Sequence, residues 1–356
     1  MHVLEEEEVL YLPLPSHATW FQVKTKKGSK DRYSMDLLNV SFSVSGVESS
    51  LLVPPLVAFV ISFLTSMGGV SGAFLLLPFQ MSFLGYVNPS VSATNQFFNI
   101  VAIPSGVYRY YREGRLVWPL TWAVIVGTLP GVFIGAIVRV AYLPDPKNFK
   151  LFAALVLLYI GGRLMRDLLG KRPSGATKSS AEQRFRVLAC GQRRPENSSF
   201  PRPLPGVNVT CFDSKRVGYD FYGEHCEAPT CGILALSFVV GIVGGIYGVG
   251  GGAMIAPFFV SFFNLPVYTV AGAALMGTFI TSVTGVIFYE AIAPFYPNIS
   301  IAPDWILGFL FGIGGMAGMY LGARLQKFVP AKAIKWMLAC IIIFTAAKYV
   351  TGFFGF

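Results

Sequence analysis

The stretch GGIYGVGGGAMIAPFF, residues 244–259, sits inside an apolar run from Gly232 to Phe263 and interrupts it with glycines. A second stretch, MGGVSGAFLLLPF at residues 67–79, does the same to a run from Leu51 to about Gly85, breaking it at Gly68, Gly69 and Gly72. The two stretches are copies. Gly69, Val70, Gly72, Pro78 and Phe79 recur at one constant offset as Gly248, Val249, Gly251, Pro257 and Phe258. The same offset carries Gly106, Val107 and Tyr110 onto Gly285, Val286 and Tyr289. After a change of loop length, Trp118, Gly127, Gly131 and Gly135 return as Trp305, Gly314, Gly318 and Gly322. Registers held over whole helices mark an internal duplication.

Composition says what kind of chain is duplicated. Of 356 residues, 54% are hydrophobic and 13% charged, and the mean hydropathy is +0.58. A soluble domain carries about 25% charged residues. Several apolar runs reach the roughly 20 residues that a helix needs to cross a bilayer. The expected class is therefore an all-α polytopic integral membrane protein. No signal peptide is expected, since Glu5 to Glu8 stand where a basic segment would be. The net charge of +10 gathers beside the apolar runs and between Arg163 and Arg216. That distribution fits orientation in a membrane, and no nucleic-acid partner is expected.

The chain divides into four parts. Residues 1–50 read as an extramembrane tail with some β content, as at Asn39 to Val44. Residues 51–170 form the first membrane repeat, with further apolar runs at Val91–Tyr108, Trp118–Val138 and Phe149–Leu164. Residues 171–229 are a polar insert in which Val207 to Phe221 suggests a β-hairpin turning at Asp213 to Lys215. Residues 230–356 form the second repeat, continuing through Val270–Tyr289, Trp305–Leu325 and Ile334–Val350.

Loop charge bears on how the halves are related, because Lys and Arg favour the cytoplasmic side. Arg109, Arg112 and Arg115 follow the second run, whereas the equivalent loop from Ala291 to Pro303 has no basic residue. Arg324, Lys327, Lys332 and Lys335 make a third basic region. All basic regions fall inside only if each glycine-broken run is a helical hairpin returning to its own side. Each half then adds three spanning helices, and the halves are inverted repeats. Both termini lie outside and the central insert is cytoplasmic. The competing arrangement makes each broken run one tilted span, with eight crossings and parallel halves.

Broken helices at matching places in two halves are where transporters place their sites. A half-helix beginning at Gly72 or Gly251 would present unpaired N–H groups and a positive dipole end to a small anion. The candidate binding residues are Gly69, Ser71 and Gly72 at the first tip and Gly248, Gly250 and Gly251 at the second. Polar side chains within runs add Asn95, Asn99, Thr278 and Thr281, since amides and hydroxyls can donate to an anion without a buried charge. Thr94, Ser282 and Thr284 lie beside them, and Gln96 points to a different helix face from Asn95. No Lys or Arg is expected in the middle of a span. The glycine ladders read as helix packing. No catalytic residue is expected, since neither HExxH nor a nucleophile elbow occurs. His225, Cys226 and Cys231 match no common zinc spacing, so no metal and no cofactor are expected.

At GGIYGVGGGAMIAPFF, its copy MGGVSGAFLLLPF and the closing glycine ladders, the sequence resembles the TauE/SafE family of sulfite and organosulfonate exporters. The resemblance covers about residues 51–170 and 230–356. It implies a plasma-membrane transporter exporting sulfite, sulfoacetate or a related sulfur oxyanion. The chain departs from an even pattern at Ser71, which stands where the second tip has Gly250. An anion channel and a membrane-bound sensor or scaffold remain as alternatives. The expected partners are a small anionic substrate and the lipid bilayer, with homo-oligomerisation open.

Overall fold

The computed structural model describes residues 8–12, 21–25, 39–68, 70–169, 207–221, 224–329 and 331–354. Each half contributes five α-helices among these. The first half has α1 (Val53–Met67), α2 (Ala73–Ser82), α3 (Ser90–Arg112), α4 (Trp118–Ala141) and α5 (Pro146–Leu169). The second has α6 (Thr230–Tyr247), a 3-10 turn at Gly251–Met254, α7 (Ile255–Phe262), α8 (Val267–Ile292), α9 (Trp305–Leu325) and α10 (Ala331–Phe354). Both glycine stretches break the helix where expected. In α4, α6, α8 and α9 the chain is long and apolar enough to cross a membrane. By contrast α1, α2 and α7 are shorter apolar pieces.

Two small antiparallel sheets accompany the helices. Strands β1 (Glu8–Leu12), β2 (Phe21–Thr25), β3 (Asn39–Phe42) and β4 (Val47–Ser50) form one, in that order. The other pairs β5 (Asn208–Phe212) with β6 (Arg216–Phe221), which is the expected hairpin, and adds β7 (Glu224–Pro229). The sequence of β7, EHCEAP, has no β-branched or aromatic residue and so gives no local strand signal. Its pairing with β6, from Arg216↔Pro229 to Phe221↔Glu224, supplies the strand.

Packing between the halves is reciprocal. The ladder of α4 lies on α6: a Cβ on Gly127 would come within 2.5 Å of the Ser237 Cβ, and one on Gly131 within 2.5 Å of the Phe238 carbonyl oxygen. From the other side, Gly241 and Gly245 would each meet α4 backbone oxygens, those of Thr128 and Val132, at 2.6 Å. The equivalent ladder of α9 packs the same way on α1, with Gly314 against Pro55, Gly318 against Phe59 and Gly322 against Phe63 and Ser66. Glycine lets two backbones touch where any side chain would hold them apart. The opposite faces stay apolar and uncovered: Trp122, Val126 and Ile137 on α4, and Phe309, Ile313 and Met316 on α9, are exposed. Small residues facing inward and large apolar ones facing outward suit a lipid surround.

Helices α3 and α8 occupy equivalent places and meet along their lengths. Tyr110 near the end of α3 touches Gly272 near the start of α8, Gly106 faces Leu275, and Gln96 faces Gly285. At the far end the Ser90 N–H donates to the Ser300 carbonyl, beyond the end of α8, at 3.0 Å. As one residue number falls the other rises, so α3 and α8 run antiparallel. The sheets attach at opposite ends of this pair. Ser45 N–H donates to Asp304 Oδ2 at 3.2 Å, and Asp304 Oδ1 caps α9 by accepting from the Leu307 N–H at 3.1 Å. At the other end, Val207 N–H donates to Gly114 O at 3.0 Å, and the hydroxyls of Tyr219 and Thr269 lie 2.8 Å apart.

Candidate functional site

Each broken stretch ends its first helix in the same way. The Val70 N–H reaches back to Thr65 O at 3.2 Å, and Val249 N–H reaches back to Gly244 O at 3.0 Å, at the matching position. The second tip then turns through Gly248 (φ +78) and Gly250 (φ +82). Both values lie in the left-handed region that residues with a Cβ rarely adopt. Ser71 and Gly72 are buried at the first tip, and Val249 to Met254 at the second. Gly69 lies outside the described residues.

Asn99 of α3 joins the two tips. Its Nδ2 donates to the Val249 carbonyl at 2.9 Å and to Ser282 Oγ of α8 at 3.2 Å. Its Oδ1 accepts from the Ser71 hydroxyl of the first tip. The Ser71 oxygen in turn accepts from the Ala73 N–H at 3.2 Å, at the first residue of α2. Both amide protons of Asn99 are therefore spent on protein, and the residue acts as a clamp between the halves. The serine that departs from the glycine pattern is what allows this clamp.

Thr281 serves the second tip as an acceptor, and Thr278 packs beside it. The Thr281 Oγ1 accepts from the Gly251 N–H at 3.1 Å and donates to Gly277 O at 2.9 Å. The Thr278 hydroxyl donates to Ala274 O at 2.8 Å. Their protons are tied back into α8, while their methyl and hydroxyl groups wall Gly250. Gly251 packs on α4, where a Cβ would come within 2.5 Å of the Thr128 Cβ. Its glycine thus serves helix contact as well as the turn, and no positive φ is present there.

The groups left available lie on the first half of α3. Asn95 is fully buried, and neither its Oδ1 nor its Nδ2 has a partner. The same holds for the side chain of Gln96, while Ser92, also fully buried, turns its hydroxyl towards Tyr289. Ser92, Asn95 and Asn99 follow one face of the helix at the three- and four-residue spacing. Ser92 lies directly against Gly248 of the second tip. An unpaired buried amide costs about 1–3 kcal/mol, so these empty amides call for a partner. Thr94 takes a different part: its oxygen accepts from the Asp304 N–H at 2.8 Å and contacts the Tyr86 hydroxyl at 2.8 Å. Thr284 donates to Ile280 O within its own helix at 2.9 Å.

Arg139 escaped the sequence reading. It lies in the last turn of α4, away from the middle of the span, and is fully buried. Its sequence signal, a single Arg near the end of an apolar run, is the same as that of an interfacial anchor. Away from the tips, His225 Nδ1 pairs with Asp220 Oδ1 at 2.8 Å. Among the described residues Cys211, Cys226 and Cys231 form no disulfide, and no group of three metal-ligating side chains occurs.

Comparison with known proteins agrees with this architecture. The family model for the sulfite exporter TauE/SafE matches residues 55–349, which takes in both tips and both ladders. A probable membrane transporter protein of Bacillus subtilis (strain 168), YunE, is 25% identical over 117 residues, 33% of this chain and 40% of that protein. YdhB of the same organism, also named a probable membrane transporter protein, is 26% identical over 114 residues, 32% of this chain and 43% of that protein. The matched segments thus span less than half the length of either relative. No solved structure matches significantly.

Proposed function

Because the chain belongs to the TauE/SafE family of sulfite exporters, a family of multi-pass membrane transporters, we propose that it exports a small anion of the sulfite or organosulfonate class through the space beside the two tips. The observation that carries this reading is the pairing of a saturated clamp with an empty donor. Asn99 holds tips from both halves together, and one turn away Asn95 has a fully buried amide with no partner. A neutral amide can donate to an anion while avoiding the cost of a buried charge. The tip glycines keep the backbone close, and Ser92 and Gln96 flank the amide.

The halves are inverted in this reading, and the antiparallel course of α3 and α8 supports it. The hairpin α1–α2 enters from the end where Asp304 caps α9. The hairpin α6–α7 enters from the end that carries the central sheet. Placing the basic loops inside makes the central insert cytoplasmic and the N-terminal tail external, with residues 51–170 and 230–356 as the repeat units.

Flux of sulfite, sulfoacetate, thiosulfate and chloride through reconstituted vesicles tests the proposal. Saturable flux of a sulfur oxyanion with exchange supports a carrier. Conductance that does not saturate replaces it with a channel, and no flux of any anion overturns it in favour of a sensor or scaffold.

A further inference from the structure

The duplicated fold places a matching slot at each end of the bundle, and the two slots are filled differently. Under the register that carries Trp118 onto Trp305, Arg139 corresponds to Gln326; under the register that carries Gly106 onto Gly285, Tyr110 corresponds to Tyr289. The Gln326 slot is saturated. Its Oε1 accepts from the Tyr110 hydroxyl at 3.0 Å and from Arg115 Nη1 at 2.8 Å. Its Nε2 donates to Met67 O at 2.8 Å, and the charge of Arg115 is met by Glu113 at 2.5 Å.

The Arg139 slot is not saturated. Nη1 donates to the Leu143 carbonyl, and the Phe149 ring lies 3.8 Å from the guanidinium carbon. Nε and Nη2, which share the other edge, have no partner although the side chain is fully buried. No carboxylate pairs with Arg139 among the described residues. Tyr289 lies within electrostatic reach, and Ser92 lies towards Tyr289. The Ser92 and Tyr289 hydroxyls face each other, and both residues are fully buried. A guanidinium keeps its charge at any working pH, and two parallel N–H groups on one edge match an anion with two oxygens.

We propose that Arg139, with Tyr289 and Ser92, is a second station for the transported oxyanion, between the tips and the end of the bundle where α4 and α8 terminate. It rests on the export reading above. Ser92 connects the two places, since it touches Gly248 of the second tip on one side and faces Tyr289 on the other. From Asn99 to Ser92 the face of α3 rises about 10 Å at 1.5 Å per residue. In this proposal an anion released from Asn95 passes Ser92 to reach the guanidinium. The other end offers no such edge, because Gln326 and Glu113 already occupy it, so the site is polarised along the transport axis.

Sulfite binding to full-length protein, followed by calorimetry in neutral detergent, tests this. Arg139→Gln should weaken sulfite binding at least tenfold, and Tyr289→Phe and Ser92→Ala each several-fold, with melting temperatures maintained. If Arg139→Gln fails to fold, the two hydroxyl variants decide. Unchanged sulfite affinity in folded Tyr289→Phe and Ser92→Ala overturns the proposal. So does wild-type affinity in folded Arg139→Gln; loss of binding in Asn95→Leu then leaves the export reading intact. Stabilisation by phosphatidylglycerol and not by sulfite, abolished by Arg139→Gln, assigns the guanidinium to a lipid headgroup and also overturns it. Wild-type protein that binds neither sulfite nor sulfoacetate overturns this inference and the export reading together.

Discussion

The Asn99 amide donates to the Val249 carbonyl at 2.9 Å, so a residue of the first half holds the backbone of the second half's tip. With Ser71 on its other side, Asn99 is the polar joint between the two broken stretches. Asn99→Ala strands the Ser71 hydroxyl and the Val249 carbonyl in a buried place. The expected cost is about 1–3 kcal/mol for each group left unsatisfied. Thermal melting in detergent should fall, and anion flux should fall with it. A variant of undiminished melting temperature would show that the tips are held by other contacts.

Asn95 should behave in the opposite way. Its amide has no protein partner to lose, so Asn95→Leu, close in volume, should leave the melting temperature unchanged or raise it. Sulfite affinity should drop at least tenfold in calorimetry. Equal affinity in the two proteins would remove Asn95 from the site.

Gly250 combines φ +82 and ψ 149, a region open essentially to glycine alone. A Cβ there would also come within 2.8 Å of Ser282 Oγ. Gly250→Ala should cost about 1–3 kcal/mol in backbone strain and reduce flux by distorting the tip. Gly131→Ala, whose Cβ would meet the α6 backbone at Phe238 and Ile242, should lower stability by about 1–3 kcal/mol through overpacking. Its folded fraction should keep sulfite affinity. Comparing affinity per folded molecule separates the two glycines.

Topology can be read by cysteine labelling at two exposed positions, Lys215 in the central sheet and Asn298 in the loop before α9. An impermeant reagent added outside cells should label Lys215→Cys weakly and Asn298→Cys strongly. Equal labelling of both from outside would refute inverted halves.

Much of the architecture was legible along the chain. The breaks at Gly68–Gly72 and Gly248–Gly252 were visible because glycine in an apolar run is a local signal, and the ladders because their spacing matches the helical period. The pairing partners were less accessible. Nothing local says that Gly127, Gly131 and Gly135 would lie on α6 of the other half while Gly314, Gly318 and Gly322 lie on α1. Among candidate binding residues, Asn95 and Asn99 look alike, four residues apart on one helix. Their roles divide only because Val249, Ser71 and Ser282 converge on Asn99 and leave Asn95 unmet.

By itself the sequence determined the duplication, the helix breaks and the membrane class, since these depend on composition, repeat register and the length of apolar runs. The tertiary structure decided which donors are spent and which are free. Thr278 and Thr281 turn their protons into α8, Asn99 becomes a clamp, and Arg139 is sealed beneath Phe149 with one edge unpaired. A hydrogen bond between residues more than a hundred positions apart depends on where helices from both halves meet, and that meeting is set by backbone contact at the glycines.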